Sequence, residues 1–214
     1  MAFVLPVVLT SLSAYLLGSI NSAILICRLL RLPDIRQKGS GNAGMTNMLR
    51  VYGKKAALLT TGGDVLKAVL AVLMARFVIQ IADVQLLVDP GYLAGIFVML
   101  GHIFPVFFAF KGGKGVMPAL GIILLVNPLG FLVLLLLAVP IFLLSRTVSL
   151  VSLICTLLLP PVTWLMALAR HHEPYWAVGI TLIYVLLVIW SHRTNIKRLL
   201  RGEEKKISPG SKDE

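Results

Sequence analysis

Four polar clusters interrupt an otherwise apolar chain of 214 residues, and each carries groups able to hold an anion or move a proton. The first, residues 39–47, reads Gly-Ser-Gly-Asn-Ala-Gly-Met-Thr-Asn and is followed by Arg50. Glycines interleaved with small polar residues can turn successive backbone N–H groups inward as an anion nest. Thr46 or Asn47 can cap a short helix carrying Arg50 and Lys54 at i, i+4, and a helix N-terminus favours phosphate. The bland reading is a surface turn, but the segment is long for a turn and ends in a basic helix. The second cluster, Lys111-Gly112-Gly113-Lys114-Gly115, reads as a flexible lysine loop. Gly115 stands where a Walker A motif needs Ser or Thr, so no nucleoside triphosphate is implied. Two lysines among glycines can meet a phosphate as point charges; positive decoration of a membrane loop is the alternative.

The third cluster runs from Ser145-Arg146-Thr147 to Ser152 and sets Ser149 and Ser152 about one helical turn apart. Such hydroxyls commonly bond their own helix backbone or a neighbouring helix. The fourth, His192-Arg193-Thr194-Asn195, puts His192 and Asn195 on one helix face. Asp64 and Lys67, three apart inside an apolar run, form either a functional pair or an ion pair that braces helices. Several chemistries are excluded. No His is followed five positions later by Asp, no Gly-x-Ser-x-Gly elbow occurs, and no carboxylate is placed for a serine triad. Cys27 and Cys155 lie in apolar runs and support neither a disulfide framework nor a metal site. The nine acids are scattered, so a carboxylate-held magnesium is hard to build.

The elements that must position these groups are membrane helices. Apolar residues make up 58% of the chain and charged residues 14%, with mean hydropathy +0.92, which a soluble chain of this size could not hide. The N-terminus lacks a basic n-region and its apolar run outlasts a signal peptide, so it reads as a span. Apolar runs cover about residues 2–27, 56–80, 91–109, 115–144, 148–168 and 175–191. The fourth contains Asn127-Pro128-Leu129-Gly130, a turn signal that divides it into two short helices. Seven spans then place 17 of the 20 Lys and Arg on one side, with only Arg76 and Arg170 opposite and Lys67 inside a span. Six spans would destroy that asymmetry. The expectation is an all-α integral membrane protein of seven transmembrane helices, N-terminus outside and C-terminus cytoplasmic. Residues 1–201 form the transmembrane domain and 202–214 a polar, frayed cytoplasmic tail. The net charge of +11 is mostly this topological signal plus attraction to anionic lipid, and nucleic-acid binding is not expected. All four clusters fall at cytoplasmic ends of spans, which suggests one site on one membrane face.

Taken together, the clusters resemble the acyl-phosphate:glycerol-3-phosphate acyltransferase family, the PlsY type of bacterial membrane enzyme. The resemblance runs from about Gly18 to Glu204. Its carriers are Gly18-Ser19, then Asp34-Ile35-Arg36 through Asn42 with Thr46-Asn47 and Arg50. Gly101-His102-Ile103-Phe104-Pro105 follows, leading into Phe110-Lys111-Gly112-Gly113-Lys114-Gly115. Arg146 with Val148-Ser149 and Ser152, and His192-Arg193 with Asn195, complete the set. The sequence departs from the family at Asn21-Ser22, Ala68, Met117-Pro118 and Thr147.

The resemblance implies transfer of a fatty acyl chain from acyl-phosphate to the 1-hydroxyl of glycerol 3-phosphate, giving lysophosphatidic acid and phosphate in phospholipid biosynthesis. It implies that Ser40, Gly41, Asn42, Gly44, Thr46 and Asn47 hold the acyl-phosphate. Arg50, Lys114, Ser152, His192 and Asn195 map onto polar positions serving glycerol 3-phosphate, with His192, Asn195, Lys114 and Ser152 as the catalytic set. Lys111, Gly112, Gly113, Gly115, Arg146, Ser149, Asp64 and Lys67 are supporting positions. No cofactor and no metal are implied. The expected setting is the bacterial cytoplasmic (inner) membrane, multi-pass, with the active site facing the cytoplasm. The chain would be a monomer, linked functionally to a soluble enzyme that supplies acyl-phosphate. The chemistry agrees with the residues independently: an acyl-phosphate is already activated, so two anionic headgroups need only be held together among N–H donors and cations. The base that takes the hydroxyl proton is left open between His192 and the departing phosphate. A permease for a small organic phosphate would use the same cations, but transporters place their site near the bilayer midplane.

Overall fold

The structure, a computed structural model, describes residues 3–207 and is built of helices and turns, with no strand among the described residues. Helices in lipid satisfy every internal backbone group within one segment, which is why an apolar chain of this kind folds so. Contacts divide the described residues into two compact units, one up to Val126 and one from Asn127.

The first unit contains α1 (Val4–Ser19), α2 (Ser22–Leu29), α3 (Met45–Ile81), α4 (Pro90–Ile103) and α5 (Val116–Val126), with single 3-10 turns at Ile35–Gln37 and Val106–Phe108. α1 packs on α4 and α3, and α5 packs on α3 and α4. The α1–α4 crossing is close because both partners are glycines there. A Cβ on Gly18 would enter the Val98 backbone, and one on Gly101 would enter the Tyr15 and Ser19 backbone. Small residues of this kind let membrane helices approach backbone to backbone. α1 and α2 are bent by 43° at Ile20–Asn21. Asn21 caps α2 by accepting from the Ile24 N–H at 3.0 Å, and the bend leaves the Ile20 carbonyl outside the helix ladder. α3 is two helical segments merged across Gly53, whose φ of 80° and ψ of −173° are open to glycine alone. Arg50 and Lys54 therefore do not share one helical face, contrary to the i, i+4 expectation.

The second unit contains α6 (Pro128–Ser145), α7 (Val148–Ala169), α8 (Tyr175–Ser191) and α9 (Arg193–Leu200). α7 packs on both α6 and α8, and α9 turns off α8 by 65°. The expected break at Asn127 is present. α5 ends at Val126, and Asn127 caps α6 by accepting from the Gly130 N–H at 3.1 Å, with Pro128 at the first helical position.

Among the described residues, three helical stretches are long and apolar enough to cross a membrane alone, Pro90–Phe108, Pro128–Ser145 and Val148–Ala169, and five are if each bent pair is one span. Their outer faces are apolar, as with Leu132, Leu136 and Leu143 of α6. Exposed apolar area on this scale requires lipid rather than water around it. α5, at 11 residues, is about 16 Å long, which is short of a bilayer core unless neighbouring chain extends it. The segment expected as a frayed tail is partly docked: Glu203 N–H bonds the Arg198 carbonyl and Ile207 N–H the Arg146 carbonyl, both at 2.8 Å. The remainder of that expected tail, 208–214, lies outside the described residues.

Candidate active site

In the first unit, the loop before α3 is organised by one side chain. Asn47 is 2% exposed. Its amide nitrogen donates to the carbonyls of Ile35 (3.2 Å), Lys38 (3.0 Å) and Asn42 (3.1 Å), while its oxygen accepts from the Ser40 N–H at 2.9 Å. Asn47 is thus the scaffold of the loop, and its polar atoms are engaged by protein. Gly39, at φ 58°, sits against this amide, where a Cβ would meet the Asn47 oxygen.

The nest expected from the sequence forms in part only. The N–H groups of Ser40, Gly41 and Gly44 already bond inside the loop. Those of Asn42, Ala43, Met45 and Thr46 have no acceptor among the described residues. The last two belong to the first turn of α3, whose N-cap is Gly44 with no side-chain cap, so neither Thr46 nor Asn47 caps it. Uncapped N–H groups at a helix start are suited to an anion. Upstream, Arg36 forms a bidentate pair with Asp34, with a shortest contact of 2.7 Å, and donates to the Phe108 carbonyl at 3.0 Å. The Arg36 hydrogen bonds and charge hold the Asp34 carboxyl below its ordinary value despite partial burial.

The lysine loop is also tied down, rather than flexible. Gly112 N–H bonds the Ile103 carbonyl at 3.2 Å and Gly113 N–H the His102 carbonyl at 3.0 Å, which satisfies carbonyls at the end of α4. Gly113 lies against the His102 ring, and a Cβ on it would stand 3.0 Å from the Ala43 carbonyl, so the two loops meet there. Lys114 is half-buried, whereas Lys111 is exposed. Asp64 and Lys67 are paired at 2.8 Å, as the brace reading expected. Lys67 also contacts His102 Nδ1 at 2.9 Å and the Ile20 carbonyl at 2.7 Å.

In the second unit, the start of α7 and the α8–α9 turn are joined through a carboxylate. Glu204 Oε1 accepts from Ser149 Oγ at 2.7 Å and Asn195 Nδ2 at 2.6 Å, and its Oε2 accepts from Arg198 Nε at 2.7 Å. Burial alone would raise the Glu204 carboxyl, but the bonds from Arg198, Ser149 and Asn195 and the Arg198 charge hold it below its ordinary value. His192 is 2% exposed and forms the α8–α9 corner. Its Nδ1 lies 2.9 Å from the Val188 carbonyl, which can only accept. Nδ1 therefore carries the proton in the neutral ring, and Nε2 is left as the acceptor nitrogen. Ser152 Oγ donates to its own helix at the Val148 carbonyl, 2.9 Å away, as the backbone-bonding alternative expected. Its lone pairs can still accept a hydrogen bond. Arg146 is exposed and serves as the left-handed C-cap of α6.

Sequence reasoning missed Glu204 and His102. Glu204 reads as one acid in a basic tail, and only its pairing reveals it. His102 sits in an apolar run, which is itself the signal, since an ionisable residue there seeks a partner.

The model of the family described as glycerol-3-phosphate acyltransferase matches residues 8–202. Glycerol-3-phosphate acyltransferase of Thioalkalivibrio sulfidiphilus is 42% identical over 204 residues, which is 94% of each chain. That of Pseudomonas entomophila is 43% identical over 198 residues, 91% of this chain and 96% of its own. A crystal structure of PlsY (YgiH), an integral membrane glycerol 3-phosphate acyltransferase, in its glycerol 3-phosphate form, superposes with TM-score 0.81. The identity is 36%, over 94% of this chain and 96% of that one. The lysophosphatidic acid form of PlsY gives 0.79 at 35% identity, over 94% and 95%.

Proposed function

The chain belongs to the glycerol-3-phosphate acyltransferase family, and we propose that it moves a fatty acyl chain from acyl-phosphate to the 1-hydroxyl of glycerol 3-phosphate. The products are lysophosphatidic acid and inorganic phosphate. The observation that carries this reading is the pair of PlsY structures, one in a glycerol 3-phosphate form and one in a lysophosphatidic acid form. Those two molecules are the acceptor and the product of one acyl transfer.

In this reading the uncapped start of α3 and the loop before it receive the acyl-phosphate's phosphate. Ser40, Gly41, Asn42, Gly44 and Thr46 line that loop, and Asn47 shapes it. Arg50, Lys114, Ser152, His192 and Asn195 serve glycerol 3-phosphate. The acceptor hydroxyl attacks the acyl carbon and the C–O bond to phosphate breaks. The hydroxyl proton passes to His192 Nε2 or to the departing phosphate. The Nδ1–H···O=C bond to Val188 favours a role for Nε2 as the acceptor of that hydroxyl proton. Activation is carried by the donor itself, so cations and N–H donors suffice for charge stabilisation.

The basic asymmetry of the chain supports seven spans with the C-terminus cytoplasmic, and the family likeness supports a bacterial inner membrane as the setting. The active site then faces the cytoplasm, where a soluble enzyme supplies acyl-phosphate to a monomer. The transport alternative is not favoured by any of these relatives. The test is a single turnover of purified protein in detergent with acyl-phosphate and glycerol 3-phosphate. Lysophosphatidic acid and phosphate are expected in equal amounts. Their absence, with binding of glycerol 3-phosphate retained, would return the reading to a permease.

A further inference from the structure

Deep in the first unit, four polar side chains form one closed network. Lys67 Nζ contacts Asp64 Oδ1 (2.8 Å), His102 Nδ1 (2.9 Å) and the Ile20 carbonyl (2.7 Å), and Ser22 Oγ donates to Asp64 Oδ1 at 2.8 Å. Each member is at most 6% exposed. An ammonium has three donors and no acceptor, so these three partners use all of them. His102 Nδ1 must then accept, and the ring proton sits on Nε2.

That Nε2 edge faces the lysine loop. A Cβ built on Gly113 would fall inside His102 Nε2 and Cε1, with the Ala43 carbonyl next at 3.0 Å. Ala43 in turn accepts from Asn21 Nδ2 at 3.3 Å, beside the bend that exposes the Ile20 carbonyl. The same buried network therefore touches the α1–α2 bend, α3, α4, the lysine loop and the loop before α3. Asp64 and Lys67 share α3, so the bracing between helices comes from Ser22, the Ile20 carbonyl and His102 Nδ1. That bracing uses only the Nδ1 side of the imidazole and does not need its Nε2 edge under Gly113.

We propose that His102 is a positioning residue for the reaction: its ring, oriented by the Asp64–Lys67 pair, sets where Gly113 crosses Ala43 and thereby where Lys114 stands. This rests on Lys114 acting on substrate phosphate. A misplacement of about 1 Å at such a group is enough to lower a rate ~10²-fold.

The experiment is a double-substitution cycle in detergent-purified full-length protein. His102→Asn keeps an acceptor for Lys67 near the Nδ1 position but removes the edge beneath Gly113. The expected result is a melting transition near that of wild type and a loss of roughly 10- to 100-fold in kcat/KM. Gly113→Ala alone, whose methyl collides with the ring, should lose at least as much. In His102→Asn/Gly113→Ala the methyl occupies the vacated space, and activity should rise at least about tenfold above Gly113→Ala. The proposal is overturned if folded His102→Asn has wild-type kcat/KM, or if the double variant is no better than Gly113→Ala. Lys114→Met separates the two levels of the reading. Wild-type activity there overturns the role of the loop itself, whereas an inactive Lys114→Met beside an unaffected His102→Asn overturns only the role of His102. A further readout needs no substitution: 15N resonances of His102 should show Nε2 protonated and Nδ1 bare, and the reverse tautomer overturns the proposal.

Discussion

Replacing Glu204 by Gln changes one oxygen of a buried carboxylate into an NH2 group and removes its charge. The native carboxylate receives three donors, from Ser149, Asn195 and Arg198, and its side chain is 7% exposed. The amide cannot serve all three. Its least costly orientation keeps the oxygen toward Ser149 and Asn195 and turns the NH2 toward Arg198, which is 39% exposed and can move into water. The lost Arg198 pair is then worth about 0.2–1 kcal/mol, after allowance for solvent screening. The other two bonds fall from charged to neutral acceptors, about 1 kcal/mol each. The total is about 2–3 kcal/mol. It should appear as a lower melting temperature in detergent and, because Asn195 loses its anchor, as a fall in kcat/KM of roughly tenfold or more. The native carboxyl lies below its ordinary 4.5, so the folded state binds fewer protons than the unfolded chain between those two values. Stability from Glu204 is thus complete above roughly pH 5.5 and is lost as pH falls through the lowered folded value. The difference in melting temperature between wild type and Glu204→Gln should be constant at neutral pH and shrink in acid. Equal melting temperatures and equal kcat/KM at pH 7 would refute the assignment of Glu204 as the tie between α7 and the α8–α9 turn.

Asn47→Asp keeps an acceptor for Ser40 but removes the donor shared by three carbonyls, each of which retains one backbone N–H, and turns a carboxylate oxygen toward them; at roughly 0.5–1.5 kcal/mol per lost bond, a melting scan should show clear destabilisation together with lost turnover. Gly53→Ala meets no atom within 4 Å, so its cost should be backbone strain alone, about 1–3 kcal/mol, read by the same scan. His192→Gln should lose ~10²- to 10⁴-fold in kcat if Nε2 is the base, and the acid limb of the wild-type kcat profile should vanish with it; a loss confined to KM would mark a positioning role. Cysteines placed beside Asp89 and Glu173 should react with a membrane-impermeant thiol reagent applied outside intact cells, and labelling only from the cytoplasmic side would refute the seven-span orientation.

The sequence alone determined the class of the protein and the chemistry of its clusters. Its apolar content admits only a membrane helix fold, and the Asn127-Pro128 break was legible because a cap and a proline act through local backbone geometry. The glycine-rich loops were legible for the same reason. What a side chain touches across the fold was not. Asn47 and Ser40 are neighbours in sequence, yet the carbonyls of Ile35, Lys38 and Asn42 converge on one amide only when the loop closes. The segment read as one short helix carrying Arg50 and Lys54 is broken at Gly53 by a positive φ that the local sequence did not announce. Glu204 reads as one acid in a basic tail, and His102 shows only as an ionisable residue in an apolar run; neither discloses its partners locally. Each is defined by partners more than thirty residues away in the chain, Ser149 for the one and Lys67 for the other. A buried charge is tolerated only where such partners converge, and that convergence is a property of the tertiary structure.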